Sequence, residues 1–311
     1  MKAASHPRLQ ALVERARERS ATAAGAPRIG LVYACDALAL DAAAGIARAG
    51  IARPVLIGPR AKIEQAAAAA EVDAKDFELI ETGDDVSEAA AKATALARDG
   101  AVSALMKGSL HTDELMSAIV NKTTGLRTDR RISHAFLFDL PRYHKMLALA
   151  DCVVNIAPDL KTKQHIIANA VELLQRLGIA APKVAIVAAV ETVNPAIPAT
   201  IDAEALVKMS RHDGAWPGAL VDGPFGFDNA FSAEAARIKK IDSHVAGDAD
   251  LMLVPDLNAG NMVYKSFNYV GGGDCAGLVL GARVPVVLTS RADSIQARIA
   301  SVALAVLATA T

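Results

Sequence analysis

Aromatic residues and cysteines are scarce in this chain of 311 residues, and no stretch carries charge of one sign. Only 4% of the residues are aromatic and the formal net charge is −1, so neither a nucleic acid nor a membrane surface is favoured as a partner. The cysteines, Cys35, Cys152 and Cys275, are far apart, and neither they nor the histidines have the spacing of metal ligands. We therefore expect no metal, and reduced, partly buried thiols in a cytoplasmic protein.

Long hydrophobic runs are also missing. The apolar segment 302–307 is too short to span a bilayer, and the N-terminal residues lack the apolar core of a signal peptide. What the chain does contain is 52% hydrophobic residues, with alanine and valine dominant, which is enough for one large or two ordinary domains.

Short apolar runs recur along the chain with helix-like segments between them. Their continuity is typical of strands that are covered on both faces. This βαβ pattern predicts an α/β fold with mostly parallel sheets and helices on both faces, in which ligands bind beyond the carboxyl ends of the strands. The predicted strands are 28–34, 55–58, 77–80, 101–106, 152–156, 183–190, 219–222, 251–254 and 285–288.

The polar segment 123–131, rich in threonine and arginine, is the best candidate for a domain boundary. We expect the last strand and helix, at 285–309, to return to the first sheet. The predicted division is a first α/β domain made of residues 1–132 and 284–311, and a second made of residues 133–283.

The stretch 254–264, VPDLNAGNMVY, joins a strand to a helix through small residues. We expect the turn Asn258-Ala259-Gly260-Asn261 to open the helix, with backbone N–H groups and the helix dipole available to an anion. Asn258, Gly260 and Asn261 are therefore candidate substrate-binding residues. A second corner of this kind, at 284–294, strengthens the case for a phosphate-bearing substrate.

That second corner carries Ser290 and Arg291, directly after the strand 285–288. Arg291 could hold a phosphate with two hydrogen bonds, and Ser290 could hydrogen-bond a reacting oxygen or sulfur. Asp293 or Ser294 would cap the next helix. The alternative is an ordinary helix cap beside a solvated arginine.

Three further clusters are candidates. Lys107 and Ser109, in MetLysGlySer (106–109), end another strand and could bind phosphate, although the spacing is not that of a P-loop and His111 or Thr112 could be a simple helix cap. Asp228, in the loop after Asp222-Gly223-Pro224, could act as a general base. Arg131 is the best placed of a basic group at 127–131 to bind phosphate.

Taken in order, these motifs resemble the phosphate acetyltransferase/phosphate butyryltransferase family. The resemblance covers roughly residues 28 to 307, and ProAspLeuAsnAlaGlyAsn followed by Tyr-Lys is its most specific part. The matching segments are MetLysGly (106–108), AlaAspCysValValAsn (150–155), AspGlyPro with a later PheAsp (222–228), AlaGlyAspAlaAsp (246–250), 255–265 and ThrSerArgAlaAspSer (289–294).

The resemblance implies a reversible reaction of acyl-CoA with phosphate to give acyl phosphate and CoA, by direct attack in a ternary complex. It implies two domains of the isocitrate/isopropylmalate dehydrogenase-like type with the active site in the cleft between them, a homodimer or larger assembly, and no cofactor, since coenzyme A is a substrate. Lys265 joins the substrate-binding candidates, and Arg291 and Arg131 would hold phosphate. The acyl group stays open among acetyl, propionyl and butyryl.

One position departs from the family. The aspartate proposed in relatives as the base that deprotonates CoA is matched here by Ala297, which leaves Asp293 and Asp228 as candidates. Two other functions therefore stay open. One is a non-catalytic acyl-CoA-binding regulatory protein, and the other is a dehydrogenase on the related scaffold, for which no metal or nicotinamide site is recognisable.

Overall fold

The computed structural model of the protein describes residues 6–22, 25–288 and 293–309. Strands and helices alternate along most of the chain. The strands are β1 (Arg28–Val32), β2 (Arg53–Gly58), β3 (Glu78–Glu81), β4 (Ala104–Lys107), β5 (Ser133–Asp139), β6 (Leu147–Ala150), β7 (Lys183–Val187), β8 (Leu220–Phe225), β9 (Leu251–Leu253), β10 (Asp274–Leu280) and β11 (Val286–Val287). The helices are α1 (Pro7–Thr22), α2 (Ala37–Arg48), α3 (Arg60–Ala69), α4 (Val86–Arg98), α5 (Thr112–Ile119), α6 (Leu160–Arg176), α7 (Pro198–Asp213), α8 (Phe227–Phe231), α9 (Ala233–Ile238), α10 (Leu257–Tyr269) and α11 (Ile295–Ala308).

The chain divides into two compact units. The N/C unit consists of Leu9–Arg130 and Ala276–Thr311, and the central unit consists of Met1–Arg8 and Arg131–Cys275. The chain passes from one unit to the other at 130/131 and 275/276, whereas the sequence predicts domain boundaries at 132/133 and 283/284. The assignment of these regions as domains stays a prediction.

Strands of the N/C unit follow the order β3-β2-β1-β4-β11-β10. All neighbours are parallel except β10 and β11, and β11 pairs with β4, so the end of the chain joins the sheet built by its beginning. The apolar run of β1 is buried along Ile29–Val32, as expected for a strand covered on both faces. In the register of β1 and β4, Val32 lies beside Lys107, so the carboxyl ends of these strands meet.

The central unit orders its strands β5-β6-β9-β7-β8, with β5 and β6 antiparallel and the other neighbours parallel. Its core contains Phe138, Leu149, Met252 and Cys152, all almost fully buried. The α/β fold class with mostly parallel strands is thus confirmed.

One predicted strand is wrong. Residues 152–156 have no regular structure, and the strand of this region is β6, which ends before them. The reason is Asp151, a buried carboxylate whose Oδ1 accepts hydrogen bonds from the backbone amides of Val153 and Val154 at 2.9 and 3.0 Å, which turns the chain. The strands β5 and β10 were not predicted at all.

Within the described residues, no helix is long and apolar enough to cross a membrane. The three cysteines are free thiols; Cys152 and Cys275 are buried and Cys35 is partly buried. No group of three or more candidate metal ligands occurs in the part of the chain that the structure describes.

Candidate active site

Close packing between the ends of β1 and β4 forms the floor of the candidate site. The backbone amides of Gly108 and Ser109 donate hydrogen bonds to the carbonyl oxygens of Val32 and Tyr33 at 2.9 and 3.0 Å. A Cβ atom at position 108 would lie only 2.5 Å from the Tyr33 oxygen and 2.6 Å from that of Val32. Only glycine fits here, because the obstructing atoms are backbone.

A cavity of about 220 Å³ opens at this edge of the N/C sheet. It lies beyond the carboxyl ends of parallel strands, where ligands of α/β proteins bind. Every residue that lines it belongs to the N/C unit. The lining residues are Asp36, Leu38, Ala39, Lys107, Gly108, Ser109, Leu110, His111, Thr112 and Arg298.

Arg298 is the most buried charged group of the cavity, with an exposed fraction of only 4%. It projects from the first turns of α11, which Ser294 begins by accepting a hydrogen bond from the Ala297 amide. Burial lowers the pKa of Arg298, whereas the nearby carboxylates of Asp293 and Asp36 favour its charged form. A guanidinium stays protonated in proteins, so the cavity has a fixed positive charge.

Lys107 and Ser109 are the two predicted residues that the structure brings into this cavity. The Lys107 ammonium donates hydrogen bonds to the carbonyl oxygens of Leu110 and Gly108 at 3.2 and 3.4 Å. The Ser109 hydroxyl donates to the Tyr33 oxygen at 2.8 Å and accepts from the Cys35 amide at 3.3 Å. Lys107 is therefore fixed near the cavity as a cation, whereas Ser109 mainly ties β4 to β1.

Helices α2 and α5 each place a capping residue in the lining. Asp36 is the N-cap of α2, and its Oδ1 accepts a hydrogen bond from the Ala39 amide at 2.8 Å. His111 is the N-cap of α5, and its backbone N–H donates to the Glu114 carboxylate at 2.7 Å. The capping interpretation of His111 is thus correct, but the cap also lies at the cavity.

The candidates on α10 occupy a different setting from the one predicted. Helix α10 already begins at Leu257, because Asp256 caps it through the Ala259 amide at 2.9 Å. Asn258, Gly260 and Asn261 therefore lie inside the first turns of the helix rather than in a turn before it, and Lys265 follows on the same helix. Gly260 is the buried one, and a Cβ there would lie 2.9 Å from the Asp151 carbonyl oxygen.

Asp228 and Arg131 also belong to the central unit and are not among the residues that line the cavity. Asp228 forms an ion pair with Lys239 at 3.4 Å. The Arg131 carbonyl oxygen accepts a hydrogen bond from the Asn169 amide group at 3.0 Å. Hydrogen bonds from Thr162 lower the pKa of Asp159, and the charge of the Arg131 guanidinium adds a smaller effect in the same direction.

Ser290 and Arg291 lie outside the described residues. Asp293 is described and stands close enough to Arg298 for its charge to act on that guanidinium. Ala297 is 7% exposed and forms part of the buried face of α11.

Sequence reasoning missed Arg298 and Asp36. The signal for Arg298 was available, since a lone arginine interrupts an otherwise apolar and alanine-rich helix at 295–308. The signal for Asp36 was its position between a predicted strand and a helix, where a capping carboxylate is common and points to no particular function.

The fold matches that of a class of enzymes, the phosphotransacylases. The solved structure of a branched-chain phosphotransacylase from Enterococcus faecalis V583 matches with a TM-score of 0.81 and 27% identity, covering 91% of this chain and 98% of that one.

Sequence comparison then identifies the family. The model described as phosphate acetyl/butaryl transferase matches residues 82–306. A phosphate acetyltransferase of Rhizobium meliloti is 48% identical over 289 residues, which cover 93% of this chain and 91% of that protein. A phosphate butyryltransferase of Clostridium acetobutylicum is 38% identical over 280 residues, which cover 90% and 92% of the two chains. The chain belongs to the phosphate acetyl/butyryl transferase family, whose members are acyltransferases.

Proposed function

We propose that the protein reversibly transfers a short acyl group, acetyl, propionyl or butyryl, between coenzyme A and inorganic phosphate. The observation that carries this proposal, beyond family membership, is the cavity that contains both Lys107 and Arg298. Phosphate attacks the thioester carbonyl directly, in a complex that holds both substrates, and acyl phosphate and CoA result.

The cavity suits the charge of this reaction. Phosphate is an anion at neutral pH and must come close to a carbonyl carbon without its full hydration shell. A guanidinium offers phosphate a fixed fork of N–H donors, and an ammonium adds a compact charge. Because Arg298 is almost fully buried, its attraction to an anion is screened less than that of a surface arginine.

Residues outside the cavity lining keep their predicted roles within this proposal. Arg291 binds phosphate or acyl phosphate, Ser290 hydrogen-bonds the thioester or the tetrahedral oxygen, and Arg131 is a further phosphate ligand. Asp293 and Asp228 are the candidate bases that the sequence predicts, although neither is among the residues that line the cavity. The residues of α10 are candidate CoA contacts, and each assignment is tested by single substitution.

Two properties of the protein also belong to the proposal. Catalysis uses no cofactor, because coenzyme A is consumed as a substrate. The protein assembles as a homodimer or larger homo-oligomer, which sedimentation equilibrium measures directly.

The first experiment measures thiol release from acetyl-, propionyl- and butyryl-CoA with and without phosphate. We expect release that depends on phosphate and differs among the three acyl chains. Binding of acyl-CoA without turnover of any of them would instead indicate the regulatory alternative.

A second experiment tests direct attack. Varying acyl-CoA at several phosphate concentrations should give intersecting double-reciprocal lines, because both substrates are bound together. Parallel lines, the pattern of a covalent acyl-enzyme, would contradict the ternary complex.

Substitution then tests the cavity itself. Lys107→Met and Arg298→Met remove one cation each, and we expect kcat/KM for phosphate to fall by about 10²-fold, as when one preorganised charged donor is lost. The exposed Lys92→Met and Arg48→Met, in the same unit, are the matched controls and should keep their activity. Unchanged phosphate kinetics in folded cavity variants would show that phosphate binds elsewhere.

A further inference from the structure

The proposed transfer needs a group that moves a proton. The sulfur of CoA leaves as a thiolate in one direction and must lose its proton to attack in the other. A side chain that lines the cavity can do this work only if it both accepts and releases a proton near neutral pH.

Four ionisable side chains line the cavity in the described part of the chain: Asp36, Lys107, His111 and Arg298. A guanidinium does not release its proton in proteins, and an amine holds its proton tightly at neutral pH. Lys107 is further held as a donor by two carbonyl oxygens. Asp36 has one oxygen committed to the N-cap of α2.

His111 differs from these three. Its side chain is exposed at the cavity, and its backbone N–H donates a hydrogen bond to the Glu114 carboxylate at 2.7 Å. Imidazole is the side chain that ordinarily both accepts and releases a proton between pH 5 and 8.

We propose that His111 is the acid–base residue of the acyl transfer, exchanging a proton with the sulfur of coenzyme A at the cavity formed by Lys107, Ser109 and Arg298. This inference rests on the proposed function and deepens it by assigning its acid–base residue.

The proton balance is complete within the two substrates. An oxygen of hydrogen phosphate forms a bond to the thioester carbon, the carbon–sulfur bond breaks, and the imidazolium gives its proton to the leaving sulfur. The neutral imidazole then takes up the proton that phosphate brought, which restores the starting state. In reverse, neutral imidazole accepts the thiol proton as sulfur attacks acyl phosphate, and no oxidant or reductant takes part.

The charged groups around the imidazole come from three helices and one strand. The carboxylates are Asp36 at the start of α2, Asp113 and Glu114 in the first turn of α5, and Asp293 before α11. The cations are Lys107 at the end of β4 and Arg298 on α11. Because these charges act on any group at the cavity, the pH profile is measured directly.

The test is the pH profile of kcat/KM for CoA in the acyl phosphate to acyl-CoA direction, from pH 5 to 9. The wild-type protein should lose activity on the acidic side, as the imidazole becomes protonated and can no longer accept the thiol proton. A wild-type profile that is flat between pH 5 and 8 overturns the proposal without any variant.

His111→Asn keeps a residue that helices accept at the N-cap, so α5 should still form. We expect kcat/KM to fall by about 10²–10⁴-fold, the usual contribution of general acid–base catalysis, and the acidic limb of the profile to disappear. The exposed His212→Asn, in the last turn of α7, is the matched control and should retain both rate and profile. Added imidazole should restore part of the rate to His111→Ala, which a purely structural role would not allow.

Other outcomes are equally clear. A His111→Asn protein that keeps the acidic limb, or loses less than about tenfold in rate, overturns the assignment. Loss of the limb in Asp36→Asn or Asp293→Asn instead of His111→Asn overturns it in favour of a carboxylate. If the wild-type protein turns over none of the acyl substrates, the proposed function itself fails and the inference falls with it.

Discussion

Adding one methyl group at Gly108 tests the floor of the cavity most directly. A Cβ atom at this position would lie 2.5 and 2.6 Å from the carbonyl oxygens of Tyr33 and Val32, which are backbone atoms and cannot rotate away. Gly108→Ala must therefore push the end of β4 away from β1. The hydrogen bonds that the amides of Gly108 and Ser109 donate to these same carbonyls would lengthen or break.

The size of the effect follows from these contacts. Overpacking costs about 1–3 kcal/mol, and two weakened backbone hydrogen bonds add about 1 kcal/mol each, so we expect the free energy of unfolding to fall by about 3–5 kcal/mol. Gly83→Ala, in the same unit, is the control. Its Cβ would meet only the end of the Glu88 side chain, which is exposed and can move, so a loss below about 1 kcal/mol is expected.

Urea unfolding followed by circular dichroism measures the difference, and phosphate-dependent CoA release is measured on the same samples. The Gly108→Ala protein should unfold at a clearly lower urea concentration than Gly83→Ala and should lose activity even where it is folded. Equal midpoints and equal rates for the two variants would refute the close approach of β1 and β4.

Three further substitutions probe the central unit, with the exposed Asp242→Asn as their common control. Asp151→Asn puts an NH2 donor in place of one carboxylate oxygen, such as the Oδ2 that accepts hydrogen bonds from the backbone and side-chain amides of Asn155 at 3.3 and 2.7 Å, and should cost about 2–4 kcal/mol of stability in urea; a cost equal to that of the control would contradict the capping role. Burial lowers the pKa of His134 to about 4 against the attraction of Asp151, and neither ring nitrogen has a hydrogen-bond partner among the described residues. Folding favours the neutral form of His134, so the contribution of this residue to the free energy of unfolding is present above pH 6.5 and is lost as the pH falls towards 4. His134→Phe should therefore flatten the dependence of the free energy of unfolding on pH between 6.5 and 4, and an unchanged slope would contradict this prediction. Partial burial opposes ionisation of Asp248, but hydrogen bonds from Lys183, Lys145 and His144 outweigh it and hold the pKa of this carboxyl well below its usual range. The contribution of Asp248 to the free energy of unfolding is therefore present above about pH 4 and lost at lower pH. Asp248→Asn should make the free energy of unfolding fall less steeply below pH 4, and identical acid unfolding curves for the variant and the wild-type protein would contradict the role of these hydrogen bonds.

The sequence predicted the parallel strands well because their apolar runs are continuous and bounded by polar corners. It failed where apolar residues continue past the end of a strand. Val153, Val154 and Ile156 have the composition of a strand, but the carboxylate of Asp151 binds the amides of Val153 and Val154 and turns the backbone. A capping interaction of this kind depends on burial and distance, which residue order does not contain.

The candidate site was predicted in part for a similar reason. Lys107 and Ser109 were found because they follow a recognisable strand. Arg298 was missed because its helix was assigned by its apolar face, and the cavity becomes visible only when α11 is placed beside the ends of β4 and β11. Residues distant in the chain meet there through the sheet register.

The pairing of β11 with β4 also has a consequence for synthesis on the ribosome. Strand β11 lies between β4 and β10 in the N/C sheet, so the residues made first cannot complete their sheet until the last part of the chain has emerged. The segment Arg131–Cys275 is translated whole in the meantime. Nascent chains halted before residue 286 should therefore expose the unpaired edge of β4, and a cell that makes this protein must protect that edge until translation ends.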